Sequence, residues 1–493
     1  MEAPRTWSEQ VLVALRDRPK APAVVSVTSD RTVTSTNSDL LEAAAAAIQF
    51  LDAHDVPSGE YVPALLTTQP ASVAMLLAGA MSHRPLAPLG PRMTEPELLA
   101  CIERLDGGLL LTEPEWADKA HAVAAATGRR VAIVEALTPS GGLEALDRRP
   151  DDIAFMMHTS GTTGTPKQIP VREMALARRA EMNGALLGLG PGARLVIGGL
   201  FHHVAGLGNI AVALANSTTI VLYPSFSVST WQALHTVAPT HAVTVPSVIE
   251  TLLSADALAL PSMRVLTYGG APIHPDTMRR IHATMPDVDL VELFGQTEGS
   301  PLTVLTAEDH RAAVGGREEL LRSVGRPAPG VELHIHQPDH DGVGEVWARC
   351  GHSLLVDADG WQHTGDLGRL IDGYLYLAGR LGDKIIRGGE NVFPIEVERV
   401  LEAHSEVAEA AVVGIPNQRL GETIRAYVVA VDPSSPPDVE ALHAYCRQTL
   451  AGFKVPAEWR FAKTLPRNAA GKVLRRQLLS CDHEGEASQC SPL

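Results

Sequence analysis

Aromatic residues are scarce. They make up 4% of the 493-residue chain, so its core has to be built from Ala, Val, Leu and Ile. Cysteine is scarce too: Cys101, Cys350, Cys446, Cys481 and Cys490 are odd in number, scattered and never in a C-x-x-C pair. That spacing supports neither a disulfide framework nor a zinc cage and suits free thiols in a reducing compartment. Positive charge is in deficit, with 41 Lys+Arg against 57 Asp+Glu and a net charge of −16. Such a chain is poorly made for nucleic-acid phosphates or an anionic membrane, and neither is expected as a partner. Long hydrophobic runs are missing; the most apolar stretches, 43–48 and 71–81, fall short of the roughly 20 residues of a membrane span. The start, M-E-A-P-R-T-W-S-E-Q, has no basic residues leading into an apolar run, so a cytoplasmic location is expected.

What is present reads as a globular α/β protein. Hydrophobic residues at 45% and charged residues at 20% are globular proportions. A short β-branched run at 23–27 and strand candidates at 61–66 and 109–112 alternate with helical patterns at 39–53, where Ser38 is a candidate cap, and at 72–80. The alternation continues with strand candidates at 195–197, 219–222, 242–245 and 264–268. It predicts stacked sheets and helices. A glycine-rich stretch, 379–391, then reads as a linker. Beyond it a compact unit is expected: helix 395–403, strands 406–413 and 424–431, helix 437–450. The expected division is a large amino-terminal α/β domain over 1–379, a smaller α+β lid over 380–480, and a polar, disordered tail at 481–493.

The densest local signal is T-S-G-T-T-G-T-P-K at 159–167, directly after the apolar run 153–157. Its glycines let backbone approach an anion, its hydroxyls and N–H groups can donate to phosphate oxygens, and Lys167 adds charge. A plain polar loop is the alternative that composition alone would allow. The segment is not a Walker A loop, because Gln168 follows the lysine where Ser or Thr is required.

This loop closely resembles the phosphate-binding loop of the adenylate-forming superfamily, which includes acyl-CoA synthetases, peptide-synthetase adenylation domains and luciferases. Further motifs resemble that family in its own order: Y-G-G-A-P at 268–272, F-G-Q-T-E at 294–298, and H-T-G-D at 363–366. The stretch G-R-L-G-D-K-I-I-R-G-G-E-N-V-F-P-I-E-V-E at 379–398 is similar to its hinge, and P-R-N-A-A-G-K-V-L-R-R at 466–476 to its terminal lysine motif. Each motif is weak alone; six in order are strong.

The resemblance implies ATP-dependent activation of a carboxylic acid as an acyl-adenylate, with release of pyrophosphate. It assigns Thr159, Ser160, Gly161, Thr162, Thr163, Gly164 and Lys167 to the β- and γ-phosphates. Gly270, Ala271, Phe294, Gly295 and Gln296 fall to the adenine side, Asp366 with Arg380 to the ribose, and Thr297 to the α-phosphate. Glu298 would help to hold Mg²⁺, a hard ion that prefers oxygen. Lys472 would bridge carboxylate and phosphate oxygens during adenylation, His203 would line the acyl pocket, and Gly388 and Gly389 would frame a thiol tunnel. Read outside their motifs, Glu298 and Asp366 are ordinary surface carboxylates, Lys472 part of a basic helix and His203 a core histidine.

Three departures stand out. Gly382 occupies the pivot where relatives usually carry Asp or Lys. His202 stands where a bulky apolar residue is common, and Glu292 where an Asn is frequent. The expected reaction joins a small aryl or aliphatic acid to CoA, releasing AMP and pyrophosphate. Alternatives are transfer to a carrier protein or an amine, ATP-dependent activation of nitrite to diazotise an aryl amine, and, from another class, a non-catalytic nucleotide-binding protein.

Overall fold

A computed structural model of the chain describes residues 4–28, 31–135, 137, 143, 147–159, 166–223, 225–271, 273–388, 390–467 and 473–480. The chain forms two compact units, one of Met1–Glu332 with Arg349–Gln362, the other of Leu333–Ala348 with His363–Leu493. The expected tail at 481–493 lies outside the described residues.

The first unit is built on two sheets. In a nine-stranded sheet, Pro22–Val27, Thr219–Leu222, Arg194–Ile197, His241–Thr244, Val265–Gly269 and Asp289–Gln296 run parallel as successive neighbours. Thr32–Thr36 closes one edge, and Gly299–Leu305 with Arg326–Pro327 the other, all antiparallel. The six-stranded sheet orders Arg130–Ile133, Leu109–Thr112, Val62–Leu65, Leu86–Pro88 and Ile153–Thr159 in parallel, with Lys167–Arg172 antiparallel at its edge. Parallel strands buried on both faces read as continuous apolar runs. Val62–Leu65, Leu109–Thr112 and Thr219–Leu222 are buried at every position.

One core joins strands of both sheets to the helices Trp7–Asp17, Asn37–Ala53, Pro70–Met81, Glu173–Leu187 and Asn209–Ala215. Alanine and leucine fill much of it, as the shortage of aromatics requires. Small side chains let helices pack closely, and Pro70–Met81 is buried at ten of its twelve positions. Trp7 is an exception; it is fully buried and its indole N–H donates to the Ala211 carbonyl. The helix expected to be capped by Ser38 begins earlier. Thr36 is the cap, its hydroxyl accepting from the Asp39 N–H while the Asp39 carboxylate accepts from the Thr36 N–H. This reciprocal box satisfies two end donors at once, and Ser38 therefore lies inside the first turn.

The second unit carries a four-stranded sheet in which Gln362–Ile371 and Tyr374–Arg380 pair antiparallel, and a five-stranded sheet around the long hairpin Val407–Asn417 and Gly421–Ala430. Helices Pro394–Glu402 and Val439–Thr449 pack with it through a core of Val397, Leu401, Val412, Ile424 and Leu442. The glycine-rich stretch expected as a linker is mostly regular. A single turn, Leu381–Asp383, leads into Ile385–Arg387 and Glu390–Val392, because Ile385 and Val392 are buried in this core. Gly388 provides the sharp reversal between them, with φ +63°.

Candidate functional site

In the first unit the predicted residues converge on the carboxyl ends of parallel strands, where open α/β sheets place their ligands. Ile153–Thr159 and Lys167–Arg172 form a hairpin whose last pair is Thr159 with Lys167. Ser160, Gly161, Thr162, Thr163 and Gly164, expected to meet phosphate, come between these strands in sequence and lie outside the described residues. The Lys167 ammonium is 3.5 Å from Glu298 Oε1, which brings together two motifs 131 positions apart. Lys167 is half exposed and Glu298 mostly sheltered.

Glu298 and Thr297 are the two residues of a tight turn between Asp289–Gln296 and Gly299–Leu305, closed by the pairing of Gln296 with Gly299. Three contacts pin this turn. The Leu354 N–H donates to the Glu298 carbonyl at 2.7 Å, the Gln362 amide reaches Gln296 Oε1 at 3.5 Å, and Ser353 donates to Gln362 Oε1 at 2.9 Å. A Cβ at Gly299 would collide with the Gln362 side chain, so the glycine permits this close approach. The carboxylate of Glu298 is a hard oxygen donor, the kind of ligand that suits an ion such as Mg²⁺, which takes few protein ligands and retains several waters.

Phe294 and Gly295 lie on the strand next to Val265–Gly269, with Gly269 in register with Leu293. Gly270 then turns the chain with φ +83° into Ala271. The flagged Glu292 is buried; the Tyr268 hydroxyl, also buried, lies 3.2 Å from its Oε2 and 2.9 Å from His310 Nε2. Burial drives the Tyr268 pKa well above its usual value, the Glu292 charge adding to the effect, and lowers that of His310 to about 4.

His203 caps the irregular helical turn Val204–Gly208, accepting from the Gly206 and Leu207 N–H groups through its carbonyl. Its ring is 4.3 Å from that of His202, centroid to centroid. Burial lowers both pKa values, His202 to about 3 with His203 contributing, so the pair stays neutral at physiological pH. His202 is fitted to its place: a Cβ at Gly90 would lie 2.8 Å from its Nε2.

In the second unit Asp366 and Arg380 are a cross-strand pair, with Arg380 Nε 2.7 Å from Asp366 Oδ1. Asp366 is buried, its N–H donating to the Thr364 hydroxyl, which in turn donates to the Val346 carbonyl. This carboxylate is held, not loose. Gly388 is the reversal described above, while Gly389 and Lys472 lie outside the described residues.

Sequence patterns missed several supporting residues. Arg104 donates to the Pro166 carbonyl at 2.9 Å, and its own carbonyl accepts from the Gln168 amide at 3.1 Å, fixing the start of the strand Lys167–Arg172. His158, one residue before Thr159, has both ring nitrogens buried without a hydrogen-bond partner among the described residues. Burial lowers its pKa to about 4, with Arg104 adding to the effect. No short motif signals Arg104 or Gln362, because each acts across the fold.

Comparison with known proteins decides the family. The AMP-binding enzyme family matches residues 12–354, and the AMP-binding enzyme C-terminal domain matches 396–472. The chain belongs to the AMP-binding enzymes. It is 31% identical to the fatty acid–acyl-carrier-protein ligase ScoC of Streptomyces coeruleorubidus, over 82% of this chain and 83% of that protein. Among solved structures, the amide bond synthetase McbA from Marinactinospora thermotolerans is similar with a TM-score of 0.84 and 28% identity, covering 97% of this chain and all of that one. The o-succinylbenzoate CoA synthetase of Bacillus subtilis, in complex with ATP and magnesium ion, gives a TM-score of 0.83 at 27% identity, covering 95% and 99%. This AMP-binding enzyme is an AMP-forming ligase of the adenylate-forming fold. None of its described helices is long and apolar enough to cross a membrane.

Proposed function

We propose that this ligase uses ATP to activate a small organic acid as its acyl-adenylate and passes the acyl group to the thiol of CoA, releasing AMP and pyrophosphate. The observation that carries the reading is the approach of Lys167 to Glu298 within 3.5 Å, which sets a cation and a sheltered carboxylate at the end of the phosphate loop. Carboxylate and polyphosphate are both anions, so their encounter needs oriented charge to offset repulsion. Lys167 supplies part of it. Glu298 would hold Mg²⁺, which when bound offsets phosphate charge. Asp366, oriented by Arg380, accepts from the ribose hydroxyls, and Phe294 lies against the adenine with Gly270 and Ala271. Thr297 contacts the α-phosphate. Lys472, on a lid over 380–480, bridges the reacting oxygens, and Gly388 and Gly389 frame the way in for the thiol. His203, neutral and half-buried, lines the acyl pocket beside His202, which narrows it and adds a polar edge.

A carrier-protein thiol or an amine is the second reading of the acceptor, favoured by the likeness to ScoC and McbA. The test is ATP turnover over a panel of acids, each with CoA, with a phosphopantetheinylated carrier protein, with amines, and with nitrite plus an aryl amine. Mass spectrometry identifies the adduct. Acyl-CoA alone supports the reading; an amide, a loaded carrier or AMP formed only with nitrite replaces it.

A further inference from the structure

We propose that Arg475 is a positioning residue for the adenylation step, tying the turn at Asp383 to the chain that leaves the terminal lysine motif. The inference rests on the reading of Lys472 given above. Arg475 opens the helix Arg475–Ser480. Its Nη2 donates to both carboxylate oxygens of Glu398, each at 2.8 Å, and its Nη1 donates to Asp383 Oδ2 at 3.3 Å. One guanidinium therefore joins three elements: the turn Leu381–Asp383, the helix Pro394–Glu402 and the terminal helix. The fixed fork of arginine permits this triple grip, which a lysine cannot reproduce.

The two arms differ in kind. Glu398 is buried, its Oε1 also accepts from the Val412 N–H at 2.8 Å, and burial raises its pKa against the pull of Arg475. That arm holds the fold. Asp383 is about a third exposed (35%), and an ion pair at that exposure adds little stability. What it fixes is register. Asp383 follows Gly382, which has no side chain to hold the turn, so the Arg475 contact sets where the turn lies relative to the terminal segment.

That segment is itself anchored close by. Arg467 pairs with Val473 across the lysine motif, the Leu474 N–H donates to the Pro466 carbonyl, and the Tyr427 hydroxyl donates to the Leu478 carbonyl at 2.8 Å. Val473, the chain neighbour of Lys472, is held by these contacts, and in a positioned reaction a displacement of an ångström costs about a hundredfold.

The full-length chain is tested as Asp383→Asn and Arg475→Lys, with Lys472→Ala as reference. Adenylation is read as ATP–pyrophosphate exchange with kcat and KM separated; thiolation is read from synthetic acyl-adenylate plus CoA; melting temperature is recorded throughout. Asp383→Asn is expected to lower the adenylation kcat about tenfold at unchanged KM for ATP. Thiolation and melting temperature should stay as in the unaltered chain. Arg475→Lys is expected to act in the same direction and to melt earlier. Unchanged adenylation in Asp383→Asn, or equal loss of both half-reactions, overturns the coupling alone. An unaltered chain that exchanges pyrophosphate with no acid overturns the reading of Lys472 and the coupling with it.

Discussion

Two charge pairs join distant parts of this chain, and they are built for opposite ends. In the first unit, Lys167 meets Glu298 through a single contact at 3.5 Å, with the lysine half exposed. In the second, Arg475 grips Glu398 through two contacts of 2.8 Å, with Glu398 buried and bonded again to the Val412 N–H. A loose, wet pair contributes little stability, so its groups are free to turn toward a ligand. A tight, dry pair leaves an uncompensated charge when either member is lost. Proximity of opposite charges thus says little by itself. Exposure and the number of satisfied oxygens separate a group waiting for substrate from one holding the fold.

The sharpest way to break this contrast is to alter each side and read activity and stability together. The largest effect is expected from Lys472→Ala, which should lower adenylation by about a thousandfold or more while leaving thiolation of preformed acyl-adenylate largely intact. Equal loss of both half-reactions would remove the role proposed for Lys472. Glu298→Gln follows, with adenylation down about a hundredfold and the melting temperature nearly unchanged. Partial recovery at raised Mg²⁺ would tie the loss to the ion. Arg475→Ala should do the reverse in emphasis, destabilising the second unit by about 3–5 kcal/mol as seen in denaturant unfolding. If the first unit's pair also proves costly to unfolding, the contrast collapses.

The candidate site was read from short runs, T-S-G-T-T-G-T-P-K, F-G-Q-T-E and H-T-G-D, and the structure brings Lys167 to Glu298 and Asp366 to Arg380. The strands were legible for a simpler reason, since parallel strands buried on both faces are continuous apolar runs between turn residues. What escaped was the long-range support. Arg104 holds Pro166, Gln362 underlies Gly299, and Tyr268 engages Glu292, and in each case the partners are remote in sequence. Misreading 379–391 as a linker had a local cause. Its glycines outweighed Ile385 and Val392, the two side chains that carry the segment into the core. The helix cap was misplaced by two residues because Thr36 and Ser38 are both good caps by type, and only the reply of Asp39 decides between them.

A smaller effect probes the dry side of the contrast by pH. Burial pushes the Glu402 carboxyl up to about 7, with the neighbouring charges of Glu398 and Glu409 adding to the rise. Its unfolded counterpart titrates near the ordinary carboxylate value of 4.5. Between those pH values the folded chain holds a proton that the unfolded chain has released. The associated stability is therefore complete below about pH 4.5 and is lost as pH rises through about 7. Glu402→Gln keeps an oxygen to accept from the Ala410 N–H and abolishes the charge. It should match the unaltered chain at pH 4.5 and exceed it by about 3 kcal/mol at pH 8. A difference independent of pH would mean that Glu402 is ionised throughout.

The smallest change tests the pivot. Gly382 is not among the glycines with positive φ, and a Cβ there would meet nothing within 4 Å. In this conformation the position spends none of glycine's freedom. Gly382→Ala should consequently stabilise the chain by about 0.4–1 kcal/mol, because alanine restricts the unfolded state more than the folded one. Adenylation and thiolation then separate two explanations for the glycine. If both rates are unchanged, the pivot needs no second set of backbone angles and the glycine is incidental. If adenylation survives while thiolation falls, the residue must visit angles that alanine resists, and the loose position beside the Asp383–Arg475 contact is the place where the second unit changes its arrangement.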